Sequence, residues 1–251
     1  MKVTILGSGT ILSPSKRNPA GYLLEDINNF ALLDCGPGIL RQLDQINFNV
    51  LNLNSIFISH FHLDHCSDVF AVLMRRYLGN NNANKNLKIV GPDGLKRWFN
   101  TILKTQGTWL SQNRPVCIEI GERQINWQGI LVNSHKNGHT LNSLSYLFEQ
   151  RSKRFFYSGD MDFSEDILLF ANHSQLAVIE CSYPDTAPKP GHMTPIKLGR
   201  FVNLAKINKT VVTHIYPEND TGDLTERIKK HTSRDIIIGT DFLTLELNTK
   251  E

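Results

Sequence analysis

His60-Phe61-His62-Leu63-Asp64-His65 places three imidazoles and a carboxylate within six residues. A β-like run, Ser55-Ile56-Phe57-Ile58-Ser59, leads into it. Val69, Val72, Leu73, Arg76 and Tyr77 continue beyond it at the spacing of an amphipathic helix. Imidazole and carboxylate are preferred ligands of zinc, and the end of a buried strand is a rigid base for presenting them. His60 and His62, two positions apart, can face one side and chelate one ion. Asp64 and His65, past a bend, can face a second ion, the two-metal arrangement that activates water. A polar surface turn is the competing explanation, but three histidines flanked by Val, Leu, Ile and Phe make poor loop composition.

The same alternation of elements extends in both directions. Residues 2–6 read as a strand ending at Gly7-Ser8-Gly9-Thr10, a tight turn that lacks the third glycine and opening helix of a dinucleotide loop. Residues 21–25 and 30–34 alternate as a hairpin around Ile27-Asn28-Asn29, closing on Asp34-Cys35-Gly36-Pro37-Gly38. Ile39, Leu40, Leu43 and Ile46 have helical spacing. Residues 79–86 are an asparagine-rich loop. A strand at 87–90 meets Gly91-Pro92-Asp93-Gly94, where Asp93 is expected to cap a helix reaching Leu103. Residues 116–120, 124–127 and 130–133 are expected as successive strands of a second sheet, followed by a hairpin at 145–148 and 154–157. Further on, strands at 176–180, 210–213, 235–238 and 242–247 alternate with helices near 165–171, 195–205 and 224–230. Strands in both halves with helices interleaved predict an α/β (α+β) protein of two face-to-face sheets with helices outside.

Composition bounds the function. A chain of 251 residues, 40% hydrophobic and 20% charged, is long enough for one large domain spanning 1–251. A formal charge of +3 neither demands nor forbids a nucleic-acid partner. The opening run reaches Gly7 too soon for an export signal, and no apolar stretch approaches the roughly 18 residues of a membrane span. Cys35, Cys66, Cys117 and Cys181 form no C-x-x-C pair, which predicts free thiols in a reducing cytoplasm.

A two-metal site needs more ligands, and strand ends are where to seek them. His139 follows the strand at 130–133, Asp160 closes Phe156-Tyr157-Ser158-Gly159-Asp160, and His214 closes Val211-Val212-Thr213-His214. Singly, each also reads as an ordinary structural histidine or capping aspartate. Together with the first cluster they form a plausible ligand set, with Asp160 placed to bridge both ions.

This set, His60-x-His62-x-Asp64-His65 with His139, Asp160 and His214, resembles the metallo-β-lactamase fold superfamily, and more narrowly the ribonuclease Z branch, over nearly the whole chain. Leu6-Gly7-Ser8-Gly9-Thr10 with Pro14-Ser15 and Arg17 is similar to that branch's opening loop. Ser143 and Tyr146 follow His139 at the branch's spacing, and Glu180-Cys181-Ser182 with Gly191-His192-Met193-Thr194 resembles its later glutamate and histidine loop. The resemblance implies a four-layer αββα sandwich. It assigns one zinc ion to His60, His62, His139 and Asp160, and a second to Asp64, His65, Asp160 and His214. Manganese or iron are alternative metals. His62, where flavo-diiron relatives carry glutamate, favours a zinc hydrolase. One departure stands out: members commonly insert a tRNA-gripping arm between the positions of His139 and Asp160, and here residues 147–156 leave room only for a hairpin.

Such ions activate water near neutral pH and neutralise phosphate charge. Asp64 would orient the water. His192, oriented by Glu180, would give a proton to the leaving oxygen, unless the two are merely a surface-loop histidine and a strand-end charge. Ser143 would bond a phosphate oxygen or serve the fold. Cys35, Cys66 and Cys181 read as small buried residues, and His135, His173 and His231 have no evident partner. Arg75-Arg76, Lys96-Arg97 and Lys229-Lys230 read as solvated helix faces, whereas Lys153-Arg154 and Lys189 could meet phosphates. The expected protein is therefore a cytoplasmic binuclear zinc phosphodiesterase acting on tRNA, other RNA or a small or cyclic phosphodiester, with homodimers common among its relatives. An ester, lactone or thioester hydrolase is the second enzyme class, and a non-catalytic nucleic-acid-binding protein the third.

Overall fold

The hairpin at residues 21–34 seeds the first sheet in the computed structural model, which describes residues 1–12 and 16–247. Pro14 and Ser15 of the opening loop lie outside the described residues. Strand β1 (Lys2–Gly7) pairs antiparallel with β2 (Gly21–Asp26), and β2 with β3 (Asn29–Cys35). Helix α1 (Ile39–Gln45) then crosses to β4 (Ser55–Phe57). Helices α2 (Leu63–Cys66) and α3 (Val69–Gly79) cross to β5 (Lys88–Gly91), and α4 (Leu95–Leu103) to β6 (Val116–Glu119). The pairings from β3 to β6 are all parallel, because a helical return brings the next strand back in the same direction.

The second sheet repeats this plan. Strands β7 (Gln124–Trp127), β8 (Ile130–Lys136), β9 (Leu144–Gln150) and β10 (Lys153–Tyr157) form an antiparallel meander. Helix α5 (Glu165–Ala171), strand β11 (Leu176–Glu180), helix α6 (Pro195–Leu204), strand β12 (Lys209–Thr213), helix α7 (Leu224–Lys229) and strand β13 (Asp235–Ile238) add three parallel pairings. Strand β14 (Thr244–Glu246) returns to β1, giving two seven-stranded sheets among the described residues, ordered β14-β1-β2-β3-β4-β5-β6 and β13-β12-β11-β10-β9-β8-β7.

The inner faces bury Phe57 of the first sheet against Trp127, Tyr146 and Phe148 of the second, in edge contacts with ring centroids 5.7, 5.6 and 5.2 Å apart. The Tyr146 hydroxyl also donates to the Ile58 carbonyl at 2.7 Å, tying the two sheets at the end of β4. Outside, α1, α3 and α4 cover the first sheet with Leu43, Leu73 and Phe99, and α5, α6 and α7 cover the second with Ile167, Phe201 and Ile228. The layers are therefore αββα, as expected. Among the described residues no helix is long and apolar enough to cross a membrane.

Three local expectations need correction. Residues 116–119 edge the first sheet rather than opening the second, because α4 returns them parallel to β5. Asp93 does not cap α4. Glu119, reaching across from β6, accepts the Gly94 and Lys96 N–H groups at 3.0 and 3.1 Å and so satisfies the exposed helix donors. Arg76 is buried rather than solvated. Its guanidinium donates to the Val50 and Ala83 carbonyls and to Asn84 of the asparagine-rich loop, which holds a short 3₁₀ turn (Ala83–Asn86).

Candidate active site

Parallel strands gather function at their carboxyl ends. Here β3, β4, β10, β11 and β12 deliver Asp34, His60, Asp160, Glu180 and His214 to one edge of the sandwich. Strand β8 runs in the same direction as β10, so the loop after it brings His139 to that edge too. His62 lies just before α2, which carries Asp64 and His65.

Close backbone approach makes this convergence possible. Gly159, before Asp160, has a φ of +56°, and a Cβ there would lie 2.6 Å from Ser59 Cβ. A Cβ at Gly36 would lie 2.1 Å from the Asp64 carbonyl oxygen.

Four of the histidines share one arrangement, in which Nδ1 donates outward and Nε2 faces the cluster. His65 Nδ1 donates to Asp34 Oδ2 at 2.6 Å. His60 Nδ1 donates to Ser59 Oγ at 3.0 Å, and that hydroxyl donates onward to Asp34 at 2.7 Å. His139 Nδ1 donates to the Gly191 carbonyl at 3.0 Å, and His214 Nδ1 to Ser182 Oγ at 3.0 Å. Fixing the proton on one nitrogen leaves the other as a ligand, the usual outer support of metal sites. Asp34 is the centre of this support. Fully buried, it also accepts the Ser59 N–H at 2.7 Å and the Tyr157 hydroxyl at 2.5 Å. In the sequence Asp34 reads only as the start of a tight turn, and neither it nor Ser59 or Ser182 carries a local signal of this role. Its non-glycine left-handed backbone, φ +56°, shows only in three dimensions.

The facing atoms fit a cation. Ligand atoms of His60, His62, His139 and Asp160 lie within 4.8 Å of one another, as do those of Asp64, His65 and His214. His65 Nε2 and His214 Nε2 approach to 3.1 Å, and His62 Nδ1 and His139 Nε2 to 3.2 Å. Lone-pair nitrogens this close repel unless a proton or metal lies between them. His60 Nε2 is buried with no hydrogen-bond partner, and Asp160 Oδ1 has only imidazole nitrogens near it, none aligned to donate, an arrangement that proteins otherwise avoid. Asp160 divides its oxygens. Oδ1 is 3.2 Å from His65 Nε2 and 3.4 Å from His214 Nε2, while Oδ2 is 3.7 Å from His139 Nε2 and 3.9 Å from His60 Nε2.

Electrostatics agree with a site built for positive charge. Burial, helped by the neighbouring His65 charge, drives His60 well below the ordinary histidine pKa, and burial also lowers His139, so both offer lone pairs. Burial would lower His65 too, but Asp160 and Asp34 outweigh it and raise its pKa well above normal. Burial would raise Asp64, yet its hydrogen bond to His214 and the charges of His65 and His214 bring it down to about 2. The same two histidine charges overcome burial and hold Asp160 well below the carboxylate range.

His192 sits beside this cluster, its ring 4.6 Å from that of His139 and stacked 6.2 Å from that of His214. Its Nδ1 donates to Glu180 Oε1 at 2.9 Å. Burial would lower its pKa, but the Glu180 hydrogen bond and charge raise it. The His192 loop is clamped from outside. Asp162 accepts the Gly191 N–H at 3.1 Å, and Lys197 bridges Asp162 at 2.5 Å and the His192 carbonyl at 3.2 Å. Tyr183 and Tyr216 stack 4.6 Å apart against the rings of His192 and His214.

Ser143 departs from the substrate-contact expectation. It is fully buried, and its hydroxyl donates to Asn137 Oδ1 at 2.5 Å and accepts the Thr140 N–H at 2.8 Å. Asn137 in turn donates to the Ser158 carbonyl at 3.0 Å, so Ser143 shapes the loop that carries His139. All four cysteines are free thiols, and Cys35, Cys66 and Cys181 are buried. His135 pairs with Glu122 at 3.0 Å. Neither it nor His173 or His231 joins the converging ligands.

Fold and converging ligands fit a metal-dependent hydrolase, and comparison with known proteins supports that class. The chain belongs to the β-lactamase superfamily, matching the family model described as "Beta-lactamase superfamily domain" over residues 29–215, and within it the chain is ribonuclease Z-like. It is 24% identical to a ribonuclease Z of Brevibacillus brevis over 283 aligned positions, covering 89% of this chain and 88% of that one. In fold it is similar to the metallo-β-lactamase fold protein YhfI from Bacillus subtilis, with a TM-score of 0.86 at 20% identity over 97% of this chain and 98% of the other. It is also similar to the short form of human tRNase Z, with a TM-score of 0.78 at 19% identity over 99% of this chain and 100% of the other.

Proposed function

We propose that this protein is a binuclear zinc-dependent phosphodiesterase that cleaves RNA in the manner of ribonuclease Z, with pre-tRNA 3′ processing as the activity and the cytoplasm as its place. One observation carries the reading. The His192–Glu180 pair stands beside the ligand cluster with its proton held against burial, which is what a poor alkoxide leaving group requires. A thioester, which expels a stable thiolate, would not call for it, and the likeness to ribonuclease Z favours a phosphodiester over an alkyl ester or lactone.

His60, His62, His139 and Asp160 would hold one ion, and Asp64, His65, Asp160 and His214 the other. The divided oxygens of Asp160 support this pairing. Bound there, such ions supply water acidified to a pKa of about 7 and neutralise charge on the phosphoryl oxygens. The chain's own groups do the rest. Asp64, ionised at any physiological pH, accepts a hydrogen bond from the attacking water and aims it at phosphorus. As the bond from phosphorus to the leaving oxygen breaks, the His192 imidazolium gives its Nε2 proton to that oxygen. Glu180, on Nδ1, keeps the ring in place and stabilises its charge. Ser143 acts at one remove, by positioning the His139 loop.

The zinc-loaded protein, incubated in parallel with a 3′-extended pre-tRNA and with bis-p-nitrophenyl phosphate, tests this. Cleavage of both with a defined tRNA end is expected, and His65→Ala should abolish both activities. Inactivity on both substrates with metal bound would send the assignment to carboxylic-ester, lactone or thioester hydrolysis.

A second reading, a small-molecule or cyclic phosphodiesterase, is favoured by one feature. Strands β9 and β10 are joined only through Arg151 and Ser152, with no inserted arm. For tRNA, the grip would have to come from another surface or from a second copy of the chain. Turnover of the small diester alone would select this second reading.

A further inference from the structure

The ligand cluster does not account for the aromatic surface next to it. Beyond β5, the turn at Asp93 and helix α4 wall a cavity of about 460 Å³, lined by Phe61, Trp98, Arg97, Leu141 and Thr140 among others. That volume lies within the range of about 300–1,000 Å³ usual for small-molecule sites. Phe61 is the residue between His60 and His62, and Thr140 follows His139, so two of the segments that carry the clustered histidines also line the cavity. The rings of Phe61 and Trp98 stack at 5.5 Å with their planes 17° apart, and both remain part-exposed. Leu141, also in the lining, is 86% exposed. The Asn142 amide donates to the Asp93 carbonyl at 3.1 Å and ties these two parts of the lining together.

Apolar surface concentrated beside a catalytic centre marks a place where a ligand is covered. The shape and the polar groups narrow its chemistry. The two near-parallel, offset rings leave an outer aromatic face on which the stack can be extended, which suits a planar ring better than a branched or flexible chain. Arg97 is exposed, and its guanidinium makes no ion pair among the described residues. The Asp93 carboxylate lies on the same rim. An acyl chain would cover the rings but leave both charges without a partner, whereas a nucleotide presents a π-face to the rings and polar edges and phosphate to the rim.

We propose that this cavity is a nucleobase subsite, in which the base next to the scissile phosphate stacks on the Phe61–Trp98 pair while Arg97 meets the adjoining phosphate. The proposal rests on the phosphodiesterase reading and adds to it a preference for nucleotide-bearing diesters. Trp98 and Arg97 set specificity and take no part in the bond-breaking step.

The zinc-loaded enzyme is assayed on thymidine 5′-(p-nitrophenyl phosphate) and on methyl p-nitrophenyl phosphate, which share a leaving group and differ in the nucleoside. The wild-type enzyme is expected to prefer the thymidine diester in kcat/KM. Trp98→Ala should lose about tenfold on that substrate, equivalent to about 1.4 kcal/mol, and nothing on the methyl diester, whereas Trp98→Phe should keep the preference. Arg97→Gln should raise KM for the thymidine diester alone. Equal losses on both substrates, or none on either, overturn the subsite. Trp98 also packs 5.9 Å from the Phe70 ring, so melting temperatures accompany each variant. If Trp98→Ala does not fold, Arg97→Gln and Leu141→Asp, both at exposed positions, carry the same comparison. If the wild type turns over neither diester, the phosphodiesterase reading fails, and calorimetric binding of thymidine 5′-monophosphate decides the subsite separately. Binding about tenfold weaker in Trp98→Ala upholds it, and equal or undetectable binding in the wild type overturns it.

Discussion

At the scale of single residues, the site works by assigning each proton to one nitrogen. Asp34 does most of this, accepting from His65 Nδ1, Tyr157 and both donors of Ser59, with no solvent exposure. Asp34→Ala would strand several buried donors at about 1–3 kcal/mol each and free His65 to turn. Metal affinity should fall by about 10–100-fold, read by competition with a chromophoric chelator, together with a lower denaturation midpoint. Metal affinity unchanged by Asp34→Ala would mean that His65 is held by packing alone. The proton on His192 is controlled separately. Its pKa is raised because Glu180 outweighs burial, so the acid form persists above the ordinary histidine range and is lost as pH rises through the raised value. In Glu180→Gln the carboxylate charge is gone and burial acts with little opposition. The alkaline limb of the proposed RNA cleavage should therefore move to lower pH, while the profile on bis-p-nitrophenyl phosphate, whose leaving group needs no acid, stays in place. His192→Ala should slow RNA cleavage by about 10²–10⁴-fold and the nitrophenyl diester far less. Equal losses on both substrates would remove the acid role.

At the scale of elements, strand ends are brought together by turns that tolerate no side chain. Gly159→Ala would place a methyl 2.6 Å from Ser59 Cβ at a φ of +56°, in a left-handed conformation that costs a non-glycine residue. The end of β10 would have to move away from β4, taking Asp160 with it. The variant is expected to lose about 1–3 kcal/mol of stability and most of its metal affinity, by urea unfolding and metal titration. Retention of both would show that β10 has slack. This scale also shows what the sequence could and could not disclose. Period-two strands followed by His or Asp were legible because alternation and motif spacing are local properties, and so the His60–His65 run, His139, Asp160 and His214 could be read directly. Glu119 capping α4, Arg76 bonding the Val50 carbonyl and Asp34 orienting His65 were not. Each joins residues at least 25 positions apart through a contact that leaves no periodic trace. That residues 116–119 pair with β5 rather than with the second sheet is illegible for a related reason: a short apolar run does not say which neighbour it pairs with.

At the scale of the whole molecule, each sheet is three antiparallel pairings followed by three parallel ones, and both present their parallel carboxyl ends at one edge. The four-layer order was legible from alternating strands and helices. The placing of the site across both sheets was not, because it depends on how the sheets face each other. With no arm in the β9–β10 hairpin, RNA bound at this edge lacks that source of cations, and those near the site are candidates to hold it. Arg154 is paired with Glu149 and Lys197 with Asp162, which lowers their value for phosphate contact. Lys96, Arg97 and Lys189 are exposed and appear in none of the ion pairs of the described residues. If these three meet phosphates, counterion release of about 0.7–0.9 per contact predicts a slope of about −2 to −3 for log Kd⁻¹ against log salt. That is shallow for a nucleic-acid enzyme. Lys189→Gln should reduce the slope by nearly one while leaving turnover of bis-p-nitrophenyl phosphate unaltered. The measurement is pre-tRNA binding by filter retention between 50 and 200 mM salt, a range of about fourfold over which such slopes are resolved. A much steeper slope, unaffected by Lys189→Gln, would mean that RNA is gripped by a different and more basic surface, such as one completed by a second copy of the chain.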